Sequence, residues 1–276
     1  ITFLKDTGQY ENTVFIFTSD NGSEASGVDF PRALPMRIGL ALQGYDNNYD
    51  TLGLKNSFNT IGPSFASAAA SPLADYKFYA GEGGMRVPLI IAGQSIPQRP
   101  QLLNALTYVT DISATILDIA NVEPPNNRYG GRPVEPMTGR SLLPLIHGEV
   151  ERVYSETDVI GYELAGNAAL FQGDYKIILN AAPVGDNKWH LYNIVTDPGE
   201  ANDLSKRMPK RLQEMLNHYQ QYVRENGVLP LPANYNPGLQ GVFNGLLERL
   251  RWQILLALIV VLILVPFFIA YRTRKR

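Results

Sequence analysis

Three side chains in the first hundred residues have the types and spacing to act on an anion. Asp20 and Asn21 stand together in "TSDNG" (18–22), offering a carboxylate and an amide oxygen at the end of an apolar run. Such oxygen donors suit a hard cation, Ca²⁺ or Mg²⁺. The same Asp-Asn-Gly triplet is ordinary turn chemistry, and on this motif alone both readings stand. Lys77 follows in "DYKFYAGEGGMRVPLIIAG" (75–93), with Gly81, Gly83 and Gly84 just downstream. A lysine beside glycines can bind an anion, because glycine lets backbone approach closely. The bland alternative is a solvated lysine next to a turn.

These groups need elements to hold them. "NTVFIFTSDNG" reads as a buried strand closed by a turn, and Val87–Gly93 as a second strand. "SFASAAASPLA" reads as a loop. In "DISATILDIA", Asp111 is the expected N-cap of a helix carrying Ile112, Thr115, Ile116 and Ile119 on one face. Strand, helix and strand in alternation imply an α/β layer architecture, in which ligands sit at the carboxyl ends of strands. Further on, "AALFQGDYKIIL" and "KWHLYNI" read as antiparallel strands. Met208, Leu212, Met215, Leu216, Tyr219 and Val223 mark an amphipathic helix, so the second half reads as a small α+β layer.

The chain has 276 residues, a formal net charge of −2, 45% hydrophobic and 18% charged residues, and no cysteine. That suits a globular protein. It gives no basic footprint for nucleic acid, and it excludes disulfides, thiolate nucleophiles and Cys-ligated zinc within these residues.

Taken together, "TSDNG" (18–22), Lys77 and "EGGMRVP" (82–88) resemble the sulfatase family, within the alkaline-phosphatase-like superfamily. The likeness continues in "YVTDISATILDIANV", in "TGRSLLPLIHG" (138–148) and in "GDYKIIL…KWHLYNIVTDPGEANDLS" (173–205). "YDNNYDTLGLKNSF" looks like the bacterial arylsulfatases of broad aryl and alkyl ester activity. The resemblance implies part of a mixed-sheet sandwich and calcium-dependent hydrolysis of a small sulfate ester. It implies Asp20 and Asn21 as metal ligands, for Ca²⁺ ahead of Mg²⁺. Lys77 becomes the lysine that contacts the sulfate group and assists the leaving oxygen. A hard cation and a lysine make chemical sense there, since negative charge grows on the leaving oxygen as the S–O bond breaks.

The chain departs from the family in its nucleophile. The family uses a formylglycine made from Cys or Ser in a C/S-x-P-x-R motif, and there is no Cys here. "SIPQR" (95–99) fits the Ser pattern, but it follows "TSDNG" rather than preceding it and is rejected. His147, His190 and His218 match no catalytic histidine of the family and read as structural. The start "ITFLKDTGQYENTVFIF", without Met, reads as a fragment whose upstream part carries the formylglycine, leaving this piece inactive alone. A phosphoesterase or phosphonate hydrolase of the same superfamily is the alternative. Asn21 argues against it, since such enzymes more often place a histidine there for a transition metal. A non-catalytic, membrane-anchored relative is a third reading.

At the other end, "ILLALIVVLILVPFFIA" (254–270) is free of charge, with Trp252 and Tyr271 flanking it and a basic tail after it. The expectation is a single transmembrane helix over 252–271 contacting the lipid bilayer, with the tail cytoplasmic and the globular part periplasmic or otherwise extracytoplasmic. The expected layout is then a catalytic portion over 1–148, a small α+β subdomain over 149–227, a linker and amphipathic helix over 228–251, the membrane helix, and the tail over 272–276.

Overall fold

The structure is a computed structural model and describes residues 1–25, 34–94, 96–97, 102–182, 184–232 and 237–274. Residues Ile1–Asn226 form one compact unit and Gly227–Arg276 a second. The first unit opens with helix α1 (Thr2–Asp6), strand β1 (Val14–Thr18) and helix α2 (Leu34–Leu42). Helices α3 (Gly62–Ala70) and α4 (Glu82–Met85) lead to strand β2 (Leu89–Gly93). Helix α5 (Val109–Ile119), the short strands β3 (Arg128–Tyr129) and β4 (Arg132–Pro133) and helix α6 (Leu143–His147) follow. Four strands, β5 (Val159–Leu164), β6 (Asn167–Gln172), β7 (Tyr175–Leu179) and β8 (Trp189–Asn193), precede helix α7 (Pro209–Asn226).

β1 and β2 pair antiparallel, with Val14 opposite Gly93 and Thr18 opposite Leu89. Side chains alternate across a strand. Val14, Leu89 and Ile91 therefore pack on Ile96, Leu142 and Ile146, while Phe17 and Ile90 on the other face are exposed. This register sets the end of β1 next to the start of β2, so the turn after Thr18 and the approach to Leu89 meet at one place.

β5 to β8 form an antiparallel meander in sequence order. Its two faces are both covered. Leu170, Ile177 and Leu191 point to α7, where Leu212, Met215, Leu216 and Tyr219, with Met208 just before the helix, supply the stripe that their spacing predicts. Tyr222, not Val223, completes it. Burying each such side chain contributes about 1.5–3 kcal/mol as an upper bound. The opposite face presents Ala169, Phe171 and Ile178 to Ala80 and Met85, so the segment around α4 is the sheet's second cover.

Several local expectations are revised. The stretch read as a loop over "SFASAAASPLA" contains α3, because its alanines lose no side-chain entropy in a helix. Asp111 is the third residue of α5 rather than its cap, and its carboxylate accepts the N–H of Tyr108 at 2.6 Å.

The expected transmembrane helix over 252–271 needs correction, and with it the bilayer contact and the membrane-anchored localisation. Helix α8 (Pro237–Arg274) runs through this stretch, but among the described residues no helix is long and apolar enough to cross a membrane. The side chains of 267–270 and residues 275–276 of the basic tail lie outside those described, as do several side chains of the amphipathic face expected over Leu239–Leu250.

His190 closes the start of β8 with a carboxylate on each ring nitrogen. Nδ1 lies 2.9 Å from Asp203 and Nε2 2.9 Å from Asp186. Burial pulls its pKa down, but the bonds to Asp186 and Asp203 outweigh burial and leave it raised. Asp203, despite its own burial, is lowered to about 2 by His190, Ser205 and the Leu191 amide. The His190 contribution to stability is therefore full below the unfolded pKa of about 6.5 and lost as pH rises through the higher folded value. The Asp203 contribution is present above about 3.9 and lost as pH falls towards about 2. Urea unfolding from pH 6 to pH 9 should weaken the wild type more than His190→Gln; equal slopes would show that His190 is not held as an imidazolium.

Candidate functional site

The tip after β1 is a tight local structure. The Asn21 N–H donates to Asp20 Oδ1 at 3.1 Å, and Ser19 Oγ donates to the Asn21 carbonyl at 3.2 Å. Asp20 is exposed and Asn21 half-buried. The next residue ties the tip to the glycine turn: the Gly22 N–H donates to the Gly84 carbonyl at 3.0 Å. A Cβ on Gly22 would stand 1.9 Å from the Gly83 carbonyl oxygen, so only glycine permits this approach. Beyond it, the Lys77 N–H donates to the Ser23 carbonyl at 3.1 Å.

The structure thus brings together the three residues singled out in the sequence. Asp20 and Asn21 lie on one side of the contact, in the turn after β1, and Lys77 on the other. Lys77 Nζ pairs with Glu24 Oε2 at 2.7 Å and sits 5.2 Å from the centre of the Phe78 ring. Its pKa is raised, first by the hydrogen bond to Glu24, which with the charges of Glu24 and Asp20 outweighs the cost of burial. The ammonium is therefore a fixed positive charge beside an acidic tip.

The 75–85 segment that carries Lys77 is clasped by the four-stranded sheet. Asn180 Nδ2 donates to Asp75 Oδ2 at 2.6 Å and its Oδ1 accepts the Ala80 N–H at 2.8 Å. Asn167 Nδ2 donates to the Phe78 carbonyl at 2.7 Å. Burial raises the pKa of Asp75, against the opposing pull of Lys176 and Asn180. Lys176 Nζ lies 2.9 Å from both Glu82 and Glu200, and Arg86 pairs with the other Glu82 oxygen at 3.6 Å. Arg86 therefore has the structural role its place before β2 implies.

Sequence reading missed Lys176, Glu200, Asn167 and Asn180. The available signal was a lysine in "YKIIL", a strand otherwise apolar on both faces, since a lysine almost never sits fully buried unless paired. Of the other candidates, Ser95 and Arg99 of "SIPQR" lie outside the described residues. His147 stands near Glu149 at 3.9 Å, and His218 Nδ1 lies 3.0 Å from Gln172.

The donor types at 20–21 fit a hard cation, but their number does not. Ca²⁺ takes six to eight oxygens, and among the described residues no group of three or more His, Cys, Asp or Glu side chains could hold a metal ion. What this geometry offers is a lysine charge held against an oxygen-rich strand tip.

Gly22→Ala should push the tip away from the glycine turn and destabilise the unit by about 1–3 kcal/mol, as overpacking does. Unchanged urea unfolding would show that the two motifs are not in van der Waals contact.

Residues 1–122 match the Sulfatase family. An uncharacterized sulfatase of Schizosaccharomyces pombe is 34% identical over 245 residues, covering 88% of this chain and 43% of that protein. An arylsulfatase of Klebsiella aerogenes is 31% identical over 140 residues, covering 50% of this chain and 29% of that one. The chain thus spans less than half the length of these curated relatives. Among solved structures, Ps i-CgsB in complex with k-i-k-neocarrahexaose aligns with a TM-score of 0.53 at 21% identity, over 79% of this chain and 38% of that one. A 2-O GAG sulfatase aligns with a TM-score of 0.51 at 20% identity, over 84% and 42%. These establish a mixed α/β, sulfatase-like fold. "TSDNG", Lys77 and "EGGMRVP" thus converge in space inside residues 1–122, the part of the chain that matches the sulfatase family.

Proposed function

We propose that the protein is a sulfuric ester hydrolase of arylsulfatase type, acting on aryl or alkyl sulfate monoesters. The observation that carries this reading is the meeting of Lys77 with the Asp20–Asn21 tip, inside the residues that match the family. A sulfate monoester brings a dispersed negative charge that concentrates on the leaving oxygen as the S–O bond breaks. A lysine fixed in its charged form stabilises that oxygen more in the transition state than in the ground state. Lys77 is the substrate-binding and catalytic residue on this reading, and Glu24 is the carboxylate that a bound sulfate exchanges for.

Asp20 and Asn21 would supply two of the six to eight oxygens that a Ca²⁺ ion takes, the others coming from elsewhere, and the ion when bound would supply Lewis-acid stabilisation of charge. The nucleophile is assigned to a formylglycine outside these 276 residues, which contain no cysteine. On this reading the 276 residues alone do not turn over substrate.

In the full-length protein, Lys77→Ala should lower kcat on a chromogenic aryl sulfate by about 10²-fold or more. A change confined to KM would contradict its role in the transition state. Asp20→Ala should abolish calcium-dependent turnover while the far-UV circular dichroism stays unchanged; wild-type turnover would overturn the metal assignment. Faster hydrolysis of an aryl phosphate than of the aryl sulfate would replace the sulfatase reading with a phosphoesterase.

A further inference from the structure

Lys176 touches none of the residues assigned to substrate or metal, yet it holds the segment that carries them. Its side chain is fully buried, 0% exposed, on the sheet face turned towards α4. Nζ donates to Glu82 Oε1 and to Glu200 Oε1, each at 2.9 Å, and lies 5.1 Å from the centre of the Phe171 ring. The second oxygen of Glu200 accepts the backbone N–H of Glu82 at 2.8 Å. Glu82 is thus gripped twice, through its side chain by Lys176 and through its amide by Glu200. Two residues further on, the Gly84 carbonyl receives the Gly22 N–H that ties down the Asp20–Asn21 tip. Five residues earlier, Lys77 hangs between the Asp75, Phe78 and Ala80 anchors without a bond of its own to the sheet.

A buried ion pair is a poor way to add stability, since desolvation offsets much of the Coulomb gain. Its better-attested use is to select one arrangement among several. Here the arrangement selected is the height of the glycine turn above the sheet. We propose that Lys176, with Glu200, is a positioning residue for the sulfate-ester site: it fixes Glu82, and through Glu82 the contact between the glycine turn and the Asp20–Asn21 tip. This inference rests on the proposed function for its consequence in turnover, but the positioning itself does not depend on it.

The test uses Lys176→Met and Glu200→Gln in the full-length protein. Amide hydrogen exchange is read at Gly22, Ala80 and Glu82 and, as internal controls, at Leu170, Ile177 and Leu191, alongside kcat and KM for an aryl sulfate. The expected result is exchange about 10-fold faster or more at Gly22, Ala80 and Glu82 with the controls unchanged. The accompanying loss in kcat is about 10- to 100-fold, the size seen when a supporting contact behind a site is removed. Exchange unchanged at the three test amides, or accelerated equally at the controls, would overturn the proposal and leave Lys176 as core filling. If Lys176→Met does not fold, Glu200→Gln carries the same comparison, because it keeps the Lys176–Glu82 pair and weakens only the grip of residue 200. A wild type that does not hydrolyse the aryl sulfate would overturn the functional reading, while the exchange pattern would still decide whether Lys176 positions the turn.

Discussion

A lysine ammonium without water must find its counter-charges inside the protein, and Lys176 finds two, Glu82 and Glu200. Much of the first unit can be read outwards from that constraint. Glu200 reaches the pair because the turn after β8 folds back under the sheet. Glu82 reaches it because α4 lies against the face of β6 and β7 that α7 leaves open. Satisfying one buried charge therefore joins a strand, a turn and the glycine-rich segment, which come from three separate parts of the chain.

The site follows from that junction and from one register. β1 and β2 pair antiparallel, so "TSDNG" at the end of one strand meets the approach to the other. The glycines make the meeting possible, because Gly22 sits where a Cβ would collide with the Gly83 carbonyl. The two asparagines, Asn167 and Asn180, then bond the backbone around Lys77 from the sheet side. Their amide groups satisfy backbone polar groups that no regular element serves in this segment. The result is a lysine whose surroundings are rigid and whose own ammonium is left to face Glu24 and Asp20.

The elements most readable in the sequence were those with strong periodicity. β1, the meander strands β6 to β8 and α7 follow from apolar runs and from helical spacing at Met208, Leu212, Met215, Leu216 and Tyr219. Local chemistry was less reliable. The alanine-rich stretch folds as α3, and Asp111 works from inside α5 rather than before it. At the far end, the apolar run in α8 suggested a membrane span, but among the described residues no helix is long and apolar enough to cross a membrane.

Asp20, Asn21, Lys77 and the glycine motif could be named from the sequence because short motifs carry residue type and order. Their chemistry, oxygen donors and a cation, is a property of the side chains themselves. Only the tertiary structure decided that they meet, since β1 and the glycine turn are joined by a strand register and by contacts across long loops. Only it revealed what holds Lys77 in place. Lys176, Asn167, Asn180 and Glu200 lie roughly a hundred residues downstream, and their partners are chosen by burial, which no local pattern in the chain encodes.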